Sequence, residues 1–333
     1  MLRIGLNPYG LAYAVGLQGA GTPRANPSPI GLEGFLVLAR DVGAACVEIH
    51  GGWLDGMPPA ALTRLRDECA ALKTTPIVST ALTHAPGETL DAVVSVSRSI
   101  GATMIRLGLS PVLEGSRAKW GSRWPAFVAH AKETLIREAP RAAAAGVTIA
   151  IEDHQDFGSE ELVALAEGAG PNVGIVFDTG NPFAVGEDPV AFAKRAAHRI
   201  RHVHLKDYRA QFTDEGYRLV RCAIGDGAVP FAELRAVLSS QQPNALTASI
   251  EPGALEARHI RLFASDWWRG YPPRDAVELG TAIGRLRATR LADDEPYATP
   301  WERGASPHEI IDYELTQVRR SVRNMMALEQ ETP

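Results

Sequence analysis

Short runs dense in β-branched and other apolar residues alternate along the chain with longer stretches in which apolar positions recur every three to four residues. The runs are RIGL (3–6), ACVEI (45–49), PIVST (76–80), TMIRL (103–107), VTIAI (147–151), VGIVF (173–177), RHVHL (201–205) and LTASI (246–250), and each predicts a strand. The periodic stretches predict helices near 31–43, 59–73, 87–100, 124–145, 159–168, 188–198 and 230–240, with a last one after Pro273 towards Leu291. Two of their starts carry capping chemistry: Ser159 with Glu160 and Glu161 behind it, and Asp188 followed by Pro189. Strands that are apolar on both faces need cover on both sides, and helices with one apolar stripe supply it, so the alternation predicts parallel βαβ units. Eight units close into an α/β fold of the (β/α)8 barrel type over residues 1–290. The competing open sheet would carry GxGxxG after its first strand, where the chain reads NPYGLAYAVGLQGAG instead.

Three segments exceed what a barrel needs. The loop 7–29 is too long for a routine connection and is expected over the strand ends. SPVLEGSRAKWGSRWP follows the fourth strand, and KDYRAQFTDEGYRLVRCAIGDGAVP follows the seventh, with a hairpin expected through Glu215-Gly216. Residues 291–333 form a helical extension in which Ile310, Leu315, Val318, Val322 and Met325 share a stripe, to be packed on the barrel or on a partner subunit.

Composition narrows the function classes. The 333 residues carry 34 Lys+Arg against 39 Asp+Glu, a net charge of −5, which builds no positive field for nucleic acid. Cys46, Cys69 and Cys222 form no CxxC pair, which argues against a disulfide framework or a thiolate cluster and fits a reducing, cytoplasmic setting. No run of 18 apolar residues suggests a membrane span, and the N-terminus lacks the pattern of a signal peptide.

The chemistry sits at strand ends. Glu152 in AIEDH, Asp178 in VFDTGN, His204 in HVHLKD and Glu251 in SIEPG each stand at the C-terminal end of a strand, where a closed barrel brings distant residues together. A single carboxylate there also caps helices or pairs with a cation; four ligands together point to a divalent ion. Three carboxylates and one imidazole suit Mn²⁺, with Mg²⁺ or Co²⁺ as alternatives. Glu152 and Glu251 are candidate acid and base for enolising a polyhydroxylated carbonyl, and His154 is a third proton-transfer candidate. His50, His84, Arg106, Asn181, His202 and Lys206 are candidate substrate contacts. Of these, His202 is read equally as a buried core imidazole and Asn181 as a turn residue before Pro182. Glu48 is noted as a partner for some cation, and Arg117, Lys119 and Arg123 as either a phosphate patch or a loop packed through Trp120 and Trp124.

At AIEDH, VFDTGN, HVHLKD, GDGAVPF and SIEPG the sequence resembles the xylose isomerase-like TIM-barrel superfamily, in particular its sugar phosphate isomerase/epimerase branch. The resemblance implies the metal ligands Glu152, Asp178, His204 and Glu251, with the two glutamates as acid and base. Epimerases of this kind often place a histidine three residues after the metal-binding aspartate; here that residue is Asn181. LNPYGLAYAVGLQGAGTPRANP, EDHQDF and the long tail also look like the α subunit of bacterial C-glycoside deglycosidases. That likeness implies Mn²⁺-promoted β-elimination from a 3-keto glycoside, His154 as acid/base, and an oligomer in which the tail contacts a small β subunit. The preferred expectation is therefore a metal-dependent lyase acting on a keto-sugar. A sugar isomerase or epimerase comes next, and a non-catalytic sugar-binding or assembly subunit last.

Overall fold

The computed structural model describes residues 2–241 and 245–330. Eight parallel strands close into a barrel: β1 (Arg3–Leu6), β2 (Cys46–His50), β3 (Thr75–Ala81), β4 (Met104–Gly108), β5 (Thr148–Glu152), β6 (Val173–Asp178), β7 (Ile200–Leu205) and β10 (Thr247–Ile250). Each coincides with a predicted run, because a strand walled by side chains inside and helices outside is apolar on both faces; β6 is buried at every position. Closure is made by β1, which pairs with β10 along Arg3–Leu6 and with β2 through Leu6 and Val47.

Helices α1 (Gly31–Asp41), α2 (Pro59–Ala71), α3 (Asp91–Ser99), α4 (Trp124–Ala144), α5 (Ser159–Ala169), α6 (Pro189–Ala196), α7 (Phe231–Gln241) and α8 (Ala276–Ala288) follow the strands. Asp188 caps α6 by accepting from the amides of Val190 and Ala191 at 3.0 and 3.1 Å. At α5 the cap lies one residue earlier than expected: Gly158 is the N-cap, and Glu161 accepts from its amide at 3.0 Å. Helix α3 begins at Asp91 rather than 87, because Glu88 turns back to accept from the amides of Thr83 and His84.

The hairpin after β7 is present as β8 (Asp207–Thr213) and β9 (Gly216–Cys222), and β11 (Arg258–Ile260) adds a third strand to it. Asp207 accepts from the amides of Tyr208, Gly225, Gly227 and Val229, which ties the base of the hairpin to the loop that follows it. In the segment after β4, Arg117 is no phosphate ligand. It is 2 % exposed, lies 4.3 Å from the ring centroids of both Trp124 and Tyr271, and pairs with Glu161.

The extension carries α9 (Pro307–Gln330), whose stripe is spent on this chain's own barrel: Ile310, Val318 and Met325 are buried, with Leu315 and Val322 packed beside them. Among the described residues no helix is long and apolar enough to cross a membrane.

Candidate metal centre

Alternation along each strand sends every second side chain inward, so β7 directs both His202 and His204 into the barrel, the second one layer nearer the mouth. Register then fixes their neighbours: His204 is level with Asp178 on β6 and with Ser249 on β10. Glu152 ends β5 and Glu251 follows β10, so four strand ends converge. One ligand atom from each of Glu152, Asp178, His204 and Glu251 lies within 4.8 Å of the other three, and all four side chains are buried. Three carboxylate oxygens and an imidazole nitrogen gathered in this way match the donor set of a hard or borderline divalent cation, whose ligand bonds run to about 2.0–2.5 Å.

The charges show what the centre requires. His204 Nδ1 lies 2.9 Å from Glu152 Oε1 and 3.2 Å from Glu251 Oε2, and Lys206 Nζ lies 2.5 Å from Asp178 Oδ2 and 2.8 Å from Glu251 Oε1. Arg106 pairs with the other oxygen of Glu152. Burial drives Glu152 upward, but Arg106 and His204 outweigh it and hold the carboxyl at about 2. Glu251 behaves alike: burial is more than offset by Lys206, His204 and Arg221, and the carboxyl stays well below the ordinary range. His204 is pushed down by burial and further up by Glu48, Glu152 and Glu251, so the imidazole holds its proton.

A second group lies one layer down. Glu48, His202 and His204 also place ligand atoms within 4.8 Å of one another. His204 is shared through its opposite nitrogen, Nε2, which is 2.8 Å from Glu48 Oε1. His202 bonds to Thr247 at 2.7 Å and Ser249 at 2.9 Å and approaches Glu48 at 3.3 Å, all of it sealed from solvent. With Nδ1 turned to the mouth and Nε2 to Glu48, His204 has the carboxylate–histidine arrangement that orients a metal-ligating imidazole.

A cavity of about 240 Å³ opens above the upper group, lined by Tyr9, Arg106, Ser110, Leu113, Glu152, His154, Gln155, Arg221, Glu251, Leu255 and Arg258, among others. A roomier cavity of about 670 Å³ lies between the hairpin and the tail, but it contains none of the four ligands; chemistry, not size, identifies the site. His154 faces the smaller cavity with no partner on Nδ1, and burial lowers its pKa to about 4, so its ring is neutral near pH 7.

Of the six expected substrate contacts, only Arg106 lines this cavity, and its guanidinium is engaged by Glu152. Lys206 is 2 % exposed and spent on Asp178 and Glu251. His202 is sealed below the ligands. Asn181 donates to Asp153 O at 2.9 Å and accepts from Gln155, so its amide braces the loop after β6 and does not reach the cavity. His84 has a left-handed backbone, φ 59°, which turns its ring onto Phe127 at 3.8 Å between centroids and its Nε2 to Leu109 O at 2.7 Å, away from the mouth. His50 stands behind Tyr9, 3.2 Å from its hydroxyl oxygen.

The sequence reading missed Asn7, Tyr9, Arg221 and Arg258. Asn7 was findable, since it is the first residue beyond β1. It donates to Glu48 Oε1 at 3.1 Å and Glu251 Oε2 at 3.0 Å, linking the two groups. Arg221 reaches Glu251 O and Pro252 O from the hairpin, a contact that no local signal announces.

Carboxylates and an imidazole gathered at the C-terminal rim of a parallel barrel form a candidate metal site where barrel enzymes place their chemistry. The sequence pattern of the xylose isomerase-like TIM barrel family matches residues 36–266, and the chain belongs to that family. It is 30 % identical over 146 residues to an uncharacterised Escherichia coli K12 protein, YihM, covering 44 % of this chain and 42 % of that one. It is 33 % identical over 113 residues to the inosose dehydratase of Clostridium botulinum, 29 % of this chain and 38 % of the relative. The chain thus spans less than half the length of these relatives. In fold it is similar to the solved structure of an L-ribulose 3-epimerase, with TM-score 0.55 and 20 % identity, over 89 % of this chain and all of the other.

Proposed function

We propose that this protein is a divalent-metal-dependent isomerase or epimerase of a keto-sugar or cyclitol ketone, with Glu152 and Glu251 as the paired acid and base. The observation that carries this reading is the placement of the two glutamates. They arrive from strands separated by β6 and β7, flank one imidazole, and face one cavity. Glu152, Asp178, His204 and Glu251 would hold a divalent cation, which would supply Lewis-acid polarisation of a carbonyl and its neighbouring hydroxyl and so make the C–H between them acidic. Mn²⁺ is the ion we assign, on the oxygen-rich donor set.

One glutamate takes that proton while the electron pair stays on the substrate as an enediolate. The same glutamate can return that proton to the adjacent carbon for isomerisation. For epimerisation the other glutamate first takes a proton from solvent at the open cavity and delivers it to the opposite face, and the glutamate protonated in the first step gives its proton back to solvent. Arg106 fixes the orientation of Glu152, and Lys206 and Arg221 that of Glu251. The cavity, at about 240 Å³, falls below the ~300–1,000 Å³ of pockets that bury drug-sized ligands and suits a single ring.

A second reading, elimination, is favoured by His154. A neutral imidazole on the cavity wall can take the acidic proton and deliver it to a departing β-hydroxyl: C–H and C–O bonds break, C=C forms and water leaves. The similarity to an inosose dehydratase supports it. Expulsion of an aglycone carbon from a 3-keto glycoside ranks below both, since the enzyme relative that bears on elimination is a dehydratase.

The experiment is turnover of a panel of ketoses, keto-cyclitols and 3-keto glycosides in D₂O with Mn²⁺. The primary reading expects deuterium at the epimerised carbon without loss of water. Release of water or aglycone selects elimination, and no exchange with any substrate, or undiminished turnover by Glu152→Gln, overturns the proposal.

A further inference from the structure

The tail was surplus in the sequence, yet its helix reaches the mouth. Glu314, about a third of the way along α9, is wholly buried, with Oε1 accepting from the amide of Tyr13 at 3.1 Å and Oε2 from the amide of Ala14 at 2.9 Å. The amide of Ala254 is turned to the same carboxylate, and Ala254 packs with Tyr13, Trp301 and Ile310 of the extension. Tyr13 and Ala14 belong to the loop after β1, and Ala254 to the loop after β10, three residues beyond Glu251. One carboxylate therefore gathers backbone donors from two loops that both feed the candidate metal centre.

The connection to the centre is short and stiff. From Asn7 to Val15 the first loop is a run of tight turns: Asn7 Oδ1 accepts from Tyr9 N at 2.8 Å, Gly10 N donates to Asn7 O at 3.1 Å, and Val15 N to Leu11 O at 2.9 Å. The two loops touch directly. A Cβ on Gly10 would lie 3.0 Å from Ile250 O and 3.1 Å from Glu251 Cα, and Gly253, at φ +66°, would place one 2.8 Å from Tyr9 O. At the end of this run, Asn7 Nδ2 holds Glu251 Oε2 and Glu48 Oε1. Trp301, also from the extension, packs on Tyr13 and stacks under Arg24, closing the same contact from outside.

We propose that Glu314 is a positioning residue for the metal centre: by clasping the loops after β1 and β10 it fixes Asn7 against Glu251 and so sets the spacing of the ligands. The reason is donor accounting. The amides of Tyr13, Ala14 and Ala254 are turned from the barrel ladder in buried residues and need acceptors, and an acceptor supplied from the tail makes loop position depend on the tail. This inference rests on the reading of the mouth as a metal site.

The test uses the full-length protein at pH 8, with Mn²⁺ titration and amide hydrogen exchange of Glu314→Ala, Glu314→Gln and a packing control, Val322→Ala. Mn²⁺ affinity is expected to fall roughly 3- to 10-fold in Glu314→Ala, less than the ~10–100-fold lost when a group bonded directly to a ligand is removed. Glu314→Gln, which keeps one acceptor oxygen, should fall between. In an Asn7→Ala background the effect of Glu314→Ala should shrink towards none, because its route is already cut. Exchange should quicken at Tyr9, whose amide reports Asn7, as well as at Tyr13, Ala14 and Ala254. Val322→Ala should lower Tm and leave Mn²⁺ affinity unchanged.

Additive effects of Asn7→Ala and Glu314→Ala overturn the proposal, as does faster exchange confined to the three clasped amides. If the wild-type protein binds no Mn²⁺, the metal reading fails, while exchange at Tyr9 still decides the clasp.

Discussion

At the mouth of the barrel Glu251 lies among Lys206, His204 and Arg221, and these cations hold its carboxyl far below the ordinary range despite burial. Where α9 meets the loop after β1, Glu314 is just as deeply buried; backbone amides supply its hydrogen bonds and Arg221 only a smaller charge effect, so burial pushes its carboxyl up to about 7. The amides lower the carboxyl of Glu314 without offsetting its burial, whereas the full charges around Glu251 more than offset the burial there. A region built to hold a cation and a region built to hold a loop thus differ in what surrounds the same side chain.

The largest effect expected from breaking this contrast is at the mouth. Glu152→Gln keeps the shape and an acceptor for Arg106 but removes the charge and the proton-transfer group. It should cut turnover about 10³-fold, measured as kcat on whichever substrate the D₂O panel identifies. Loss of less than tenfold would remove Glu152 from the chemistry.

Next in size is the metal itself. If the four mouth residues bind Mn²⁺, free ion at about 100 times Kd should stabilise the fold by ~2.7 kcal/mol, seen as a rise of several degrees in Tm that a chelator reverses and Asp178→Asn abolishes.

One layer down, Glu48→Gln should weaken Mn²⁺ binding about 10- to 100-fold while leaving the four ligands in place, because Glu48 orients His204 through Nε2. An effect as large as that of Asp178→Asn would instead assign the ion to the lower group of Glu48, His202 and His204.

The smallest effect tests the other half of the comparison. Since burial raises the carboxyl of Glu314, the folded chain keeps a proton that the unfolded chain releases between about pH 4.5 and 7. Its contribution to stability is therefore fully present below about pH 4.5 and declines as pH rises towards 7, by at most on the order of 3 kcal/mol. Denaturant midpoints of wild type and Glu314→Gln, compared across that window, should show this share of the slope missing in the variant. Equal slopes would mean that Glu314 is charged throughout and that the amides solvate it better than the contrast allows.

Much of the fold was legible, for a local reason. A strand buried on both faces needs apolar residues at nearly every position, and a covering helix needs them every three to four, so β6 and α4 announce themselves in short windows of sequence. Glu152, Asp178, His204 and Glu251 were legible because a barrel sends strand ends to one rim whatever the sequence distance between them. The directions of His84 and Asn181 were not legible, because being near a strand end does not set direction: a left-handed backbone turns the first onto Phe127, and Asp153 O claims the amide of the second.

The sequence by itself determined the number and order of the strands, the helices that cover them, and the four charged residues that meet at the rim, since each depends on a repeat of two or 3.6 residues or on a strand end. Only the tertiary structure decided which nitrogen of His204 faces the mouth, that Arg221 on the hairpin steadies Glu251, and that Glu314 reaches back some 300 positions to Tyr13. Those contacts join segments that share no local pattern, and they form because buried charges and amides must find partners wherever the closed barrel and its tail bring them.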